Sequence, residues 1–228
     1  MRLGTIVQRL LRGKFGQSIV NSYLYSNLYQ EEFFVRMMQF IRSNNISGDY
    51  LEFGCYMGNT FLMAHRHRHL SGTSMKLYVF DSFQGHPEYS GFDASSKIKK
   101  GDQAVSIQTF TNILKKHGVK ETEYTLVPGF YDESLKANPP EMLGLRSAAI
   151  VYVDCVSYES TVPVLNYVLP LLQNGTIIAF DDFFLFKGDP EHGQRLAMTE
   201  FLERNSEIKL INYLPIGWHG RSFIVKKS

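Results

Sequence analysis

Tyr50-Leu51-Glu52-Phe53-Gly54-Cys55-Tyr56-Met57-Gly58 carries an apolar strand into an acid and two glycines four residues apart, and a helix starts at Asn59. A parallel α/β domain makes a nucleotide-sized pocket in this way. The strand stops, the glycines let a ligand approach the backbone, and helix-end amides face the cleft. Glu52 is the informative residue. A pyrophosphate-binding turn has no use for an acid beside its glycines, whereas a ligand with a cationic amino group does. That tilts the reading from a dinucleotide towards S-adenosylmethionine.

Outward from this stretch, strand and helix alternate from Asp49 onward. Apolar strands are predicted at Tyr50–Phe53, Lys76–Phe80, Tyr124–Val127, Ala148–Val153 and Thr176–Phe180, with helices at Asn59–His69, Gln103–His117 and Ser160–Leu172 between them. Short, continuously apolar strands separated by helices indicate a parallel sheet covered on both faces. A further helix is predicted at His192–Asn205. Two last strands, Ile208–Tyr213 and Arg221–Lys226, are joined by a loop too short for a crossover helix, so the final strand is expected to run antiparallel. The expected architecture is thus α/β, a mostly parallel seven-stranded sheet with helices on both faces. Before the sheet, Gln30–Ser43 is an amphipathic helix whose apolar stripe holds Phe33, Phe34, Met37, Phe40 and Ile41. Residues 1–48 are expected to form a helical cap and 49–228 the ligand-binding domain.

The chain has 228 residues, 44% hydrophobic and 20% charged, which suits one globular unit with a full core. A net charge of +2 is too close to balance to argue for nucleic acid. No apolar run reaches the roughly 18 residues of a spanning helix, and residues 1–20 are broken by Arg9, Arg12, Gly13, Lys14 and Gly16, a poor signal peptide. Two cysteines, Cys55 and Cys155, are too few for a disulfide framework, so a cytoplasmic protein with inert thiols is expected. The basic first twenty residues, with Arg2, Arg9, Arg12 and Lys14, read as a helix that packs as a cap or against a second subunit, which would make a homo-oligomer, rather than one that docks on a membrane surface.

Carboxylates recur where the parallel strands end: Glu52, Asp81, Asp154 and the pair Asp181-Asp182. Ligands of open α/β sheets bind outside those ends, so the acids are expected to share one crevice. Asp81, at the second strand, stands where an acid accepts hydrogen bonds from ribose hydroxyls. Asp154, Asp181 and Asp182 are three hard oxygen donors that suit Mg²⁺, and such an ion would lower the pKa of a substrate hydroxyl. Equally, Asp181-Asp182 could cap the following segment while Asp154 pairs with a nearby cation. His86 and His219 each read either as a general base near the cleft or as a turn histidine. His65-Arg66-His67-Arg68-His69 reads as a helix end rather than a metal box, and Ser90–Gly101, with Lys97, Lys99 and Lys100, as a mobile loop over the site.

With these pieces placed, the chain resembles the macrocin O-methyltransferase (TylF/MycF-type) family of class I S-adenosylmethionine-dependent methyltransferases. The resemblance rests on the Glu52–Gly58 turn, Val79–Gly85, Val127–Leu135, Val153–Thr161, Asn174–Asp182 and Gly193–Ala197. It implies a Rossmann-like sheet, S-adenosylmethionine as donor, Mg²⁺ as ion, and hydroxyls of sugars on natural products or glycans as acceptors. Carried across, Glu52, Gly54 and Gly58 would line the methionine end, and Asp81 with Ser82 the ribose. Gly129 and Asp132 would sit on the adenine side, while Asp154, Asp181 and Asp182 would hold the metal. Asp154 is placed to accept the acceptor's proton, with His86 as the weaker candidate. One position departs: the family usually has a second acid where this chain has Val156. Two rivals remain at this level. One is an NAD-dependent oxidoreductase or epimerase on a Rossmann sheet, which would want three close glycines. The other is a degenerate methyltransferase-fold binding subunit.

Overall fold

A computed structural model describes residues 14–89, 91–94 and 97–228, with side chains of the first helix described from Leu28 onward. The first helix, α1 (Lys14–Ser43), precedes β1 (Asp49–Phe53), α2 (Asn59–His67), β2 (Leu77–Asp81), α3 (Ile107–Lys116) and β3 (Tyr124–Pro128). Then follow α4 (Tyr131–Ala137), β4 (Ala148–Val153), α5 (Tyr158–Val168), β5 (Ile177–Phe180), α6 (Gly193–Arg204), β6 (Ile208–Ile216) and β7 (Gly220–Lys227). One seven-stranded sheet has the order β3-β2-β1-β4-β5-β7-β6. Its first five strands pair in parallel, and β7 inserts antiparallel between β5 and β6. The chain steps from β1 outward to β2 and β3, then returns to the other side of β1 with β4. That reversal opens a crevice at the carboxyl ends of β1 and β4, the switch point at which such sheets bind ligands.

Alternation along each strand sends side chains to opposite faces, and both faces are covered. Tyr50, Leu77, Val79 and Ile150 pack with α1, α2 and α3, against Phe34, Met37, Phe61 and Phe110. Leu51, Phe53, Phe80 and Val153 pack the other way, against Leu135, Val164, Leu165 and Phe201 of α4, α5 and α6. Aromatic contacts fix the layers: Phe53 stacks on Phe80 at 4.5 Å, and Phe34 of α1 stacks on Tyr152 of β4 at 5.5 Å. Each such ring withdrawn from water contributes roughly 2 kcal/mol. The second half of α1 is therefore core to the sheet that the expected 1–48 cap was to cover. Of the basic helix expected over the first twenty residues, 1–13 lie outside the described residues and 14–20 belong to α1.

Several helix boundaries differ from the sequence expectation, and the helix expected at Gln30–Ser43 already runs from Lys14. The helix predicted from Gln103 begins at Ile107, because Ser106 caps it by accepting from Thr109 N at 3.1 Å, and Gln103 sits at φ 58 in the left-handed region. The helix predicted from Ser160 begins earlier, at Tyr158, with Ser157 as cap. Four residues of the basic run at 65–69 meet carboxylates, and His69 Nδ1 bonds the Arg66 carbonyl. Arg66 and His67 meet Glu31 of α1, while His65 and Arg68 meet Glu123, tying α1 and the turn before β3 to the end of α2. Among the described residues no helix is long and apolar enough to cross a membrane.

Candidate active site

The strand ends are laced together by backbone hydrogen bonds beyond the ladders. Gly54 N donates to Phe80 O, Asp154 N to Phe53 O, Asp181 N to Val153 O, and Gly129 N to Asp81 O, at 2.8 to 3.0 Å. Gly54 sits at φ +91, and a Cβ there would lie 1.9 Å from the Asp154 carbonyl oxygen. Only glycine lets the turn after β1 run against the end of β4. Asp81 braces the same turn: Oδ2 accepts from Cys55 N at 2.8 Å and Oδ1 from Phe83 N at 2.7 Å. Each carboxylate oxygen has acceptor capacity left over.

A cavity of about 990 Å³ fills the crevice. Gly54, Asp81, Ser82, Gly129 and Asp132 line it from the ends of β1, β2 and β3, and Asp154, Asp181 and Asp182 from the ends of β4 and β5. His86 lines it from the loop after β2. Two expected site residues stand behind this wall. Gly58 packs on the Phe110 ring, 3.0 Å from where its Cβ would be. Glu52 is wholly buried on the α1–α3 face, accepting from the Tyr50 hydroxyl and from Thr60 Oγ1 at 2.7 Å. Burial pushes its carboxyl up from 4.5 to about 8, against the pull of those two hydrogen bonds.

At the ends of β4 and β5 the acids crowd. Donor atoms of Asp181, Asp182 and His219 all lie within 4.8 Å of one another, and Asp154 is near enough to feel the charge of both carboxylates. Burial raises all three carboxyls, and neighbouring carboxylates add to this at Asp154 and Asp182, the latter reaching about 7. Partners hold the set in place. Tyr152 OH donates to Asp181 Oδ1 at 2.6 Å, and Val156 N to Asp182 Oδ2 at 3.1 Å. Fully buried Gln194 accepts from Asp182 N at 2.9 Å and donates to Val153 O at 3.0 Å. His219 Nδ1 donates to the Asp181 carbonyl. Buried carboxylates that raise one another's proton affinity are relieved by protons or by a cation, and a hard oxygen donor set fits Mg²⁺. Val156 keeps the backbone contact to Asp182 but supplies no side-chain oxygen. Its φ of 58 is costly for a β-branched residue, roughly 1–3 kcal/mol.

The loop between β2 and α3 closes one side of the cavity. Its neck is pinned by His86 N to Asp102 O at 3.0 Å and Gly101 N to His86 O at 2.9 Å. His86 has both ring nitrogens engaged, Nε2 with Gln103 Oε1 at 2.6 Å and Nδ1 with Tyr89 OH at 2.7 Å. A proton-accepting role would need one of these bonds to break. Further along, Asp93 is fully buried and accepts from Tyr158 N at 2.5 Å and Gly193 N at 3.1 Å, one carboxylate at the N-termini of both α5 and α6. Cys55 and Cys155 are free, buried thiols on the cavity wall, and burial raises both. Sequence reasoning did not single out Tyr152, Tyr89 or Asp93. Gln194 fell inside a motif but received no role.

The sequence profile of the macrocin-O-methyltransferase (TylF) family matches residues 31–213. Among curated relatives, the 8-demethyl-8-(2,3-dimethoxy-alpha-L-rhamnosyl)-tetracenomycin-C 4'-O-methyltransferase of Streptomyces olivaceus is 25% identical over 151 residues, 63% of this chain and 56% of that protein. The mycinamicin III 3''-O-methyltransferase of Micromonospora griseorubida is 26% identical over 149 residues, 61% of this chain and 57% of that protein. The chain thus spans little more than half the length of the curated relatives it matches. Among solved structures, the O-methyltransferase NovP superposes with a TM-score of 0.71 at 20% identity, covering 86% of this chain and 79% of that one. CalS11, a calicheamicin methyltransferase, gives 0.68 at 21% identity, covering 96% and 90%. Both are similar in fold, that of class I methyltransferases.

Proposed function

The chain belongs to the macrocin-O-methyltransferase (TylF) family, and on that premise we propose that it is an S-adenosylmethionine-dependent O-methyltransferase acting on a sugar hydroxyl of a glycosylated natural product or glycan. The observation that carries this reading is the meeting of two different carboxylate arrangements on one cavity. Asp81, braced on the glycine turn, suits a ribose. Asp181 and Asp182, clustered with His219, and Asp154 on the same wall suit an acceptor hydroxyl and the ion that would hold it.

In the proposed reaction the acceptor oxygen attacks the sulfonium methyl in line. The O–CH₃ bond forms as the S–CH₃ bond breaks, its electron pair stays on sulfur as a neutral thioether, and the acceptor proton passes to Asp154. Asp154 lines the cavity beside the other acids, where it can take that proton. Asp154, Asp181 and Asp182 would hold Mg²⁺, which when bound would make the acceptor hydroxyl more acidic. Most of the rate would come from alignment of two reactants on one rigid wall, since methyl transfer asks little else of the protein. Glu52 supports the turn from beneath, through Thr60 at the start of α2.

Calorimetric titration of EDTA-treated protein with S-adenosylmethionine, repeated with Mg²⁺, tests the reading. Micromolar donor binding is expected, with a separate Mg²⁺ signal that Asp182→Ala abolishes. Folded protein that binds no donor would overturn it.

A further inference from the structure

The cavity wall is one-sided in charge. Besides Asp81, Asp154, Asp181 and Asp182, five more carboxylates line it, and among the described residues no lysine or arginine does. Asp132 and Glu133 open α4, and Asp102 Oδ2 accepts from Lys99 N at 2.9 Å. Glu88 is exposed in the loop after β2, and Glu159 stands in the first turn of α5. Glu159 Oε2 is buried without a hydrogen-bond partner. The lysines of the same loop, Lys97, Lys99 and Lys100, are exposed, and none of them lines the cavity.

A bound donor brings one net positive charge and a divalent ion two, which leaves the wall acidic even with several carboxyls protonated. Low-dielectric walls of one sign focus the field on whatever enters, attracting cations and rejecting anions. Glu88, Asp102 and Glu159 lie on the segments after β2 and after β4 and line the same cavity as the ion-suited cluster. From the methyltransferase reading above, on which this step rests, we propose that the acceptor carries a basic amine. The site takes an amino-sugar glycoside, or a glycoside with a protonated aglycone, and discriminates against uronates and sugar nucleotides.

The test uses three probes of one shape and different charge: 4-nitrophenyl β-D-glucosaminide, glucoside and glucuronide. Each is titrated at pH 6.5 into protein saturated with S-adenosylhomocysteine and Mg²⁺, with binding followed by saturation-transfer NMR. The expected order is amine over neutral over uronate, with about tenfold between the extremes, shrinking as salt is raised from 50 to 300 mM. The double variant Glu88→Gln/Glu159→Gln should reduce that span at least threefold while S-adenosylhomocysteine affinity stays unchanged. An equal or reversed order, no binding of the glucosaminide, or an unchanged span in the variant would overturn the proposal while leaving the methyltransferase reading intact. Failure to bind S-adenosylhomocysteine would instead remove the reading beneath it.

Discussion

Glu52→Gln should change how stability depends on pH far more than it changes stability at low pH. The carboxyl is wholly buried, and burial raises it from 4.5 to about 8. A group raised in the folded state binds its proton more tightly there than in the unfolded chain. Below pH 4.5 both states are protonated and its contribution is fully present. Between 4.5 and about 8 the unfolded chain ionises first, and stability falls as pH rises. At about 1.4 kcal/mol per pH unit that window is worth about 5 kcal/mol at most. Glutamine has almost the same shape and cannot ionise, and the Tyr50 and Thr60 hydroxyls can rotate to serve it. Urea unfolding of both proteins at pH 5, 6, 7 and 8, without donor, should give free energies that diverge steadily in favour of the variant. Comparing the two proteins cancels the other buried acids, which titrate in both. A difference that stays constant from pH 5 to 8 would show that Glu52 is ionised in the folded protein, and the account of the turn would have to be abandoned.

Gly54→Ala should cost more than about 3 kcal/mol, seen as a large fall in melting temperature, because the added methyl meets backbone at 1.9 Å that cannot move aside. Asp182→Ala should lower turnover about a hundredfold with little change in donor affinity, and Asp81→Ala the reverse; calorimetry and initial rates would separate them, and equal effects would break the proposed division of roles. Asp154→Asn should lose at least a hundredfold in rate, whereas His86→Gln should lose under tenfold, since both His86 ring nitrogens are already hydrogen-bonded.

The sheet was legible because strands buried on both faces are written as unbroken apolar runs; Ala148–Val153 lies within the predicted bounds to the residue. Convergence of Asp81, Asp154, Asp181 and Asp182 on one cavity followed from topology alone, whereas Glu52 does not reach it. What escaped was set by tertiary contact. The seven-residue α4 (Tyr131–Ala137) is too short and too polar to show periodicity. Glu52 could have been placed behind the wall, since it shares a strand face with Tyr50 and that face packs under α1 and α2. Asp93 looked like one acid in a polar loop, because its partners are backbone amides 65 and 100 residues away. His219 joined the acids only through the way β7 inserts beside β5.

The Asp93 carboxylate has a consequence for the order in which the protein is made. Its second amide donor belongs to Gly193, so the loop that closes the cavity gains that last fastening only after α6 has left the ribosome and docked. The glycine turn, Asp81 and the first five strands are complete in sequence by Phe180. A nascent chain arrested between these points would still lack the last two strands, the Gln194 contact to Asp182 and the Gly193 amide on Asp93. The braces of the acceptor end of the cavity are thus among the last parts of the chain to be made.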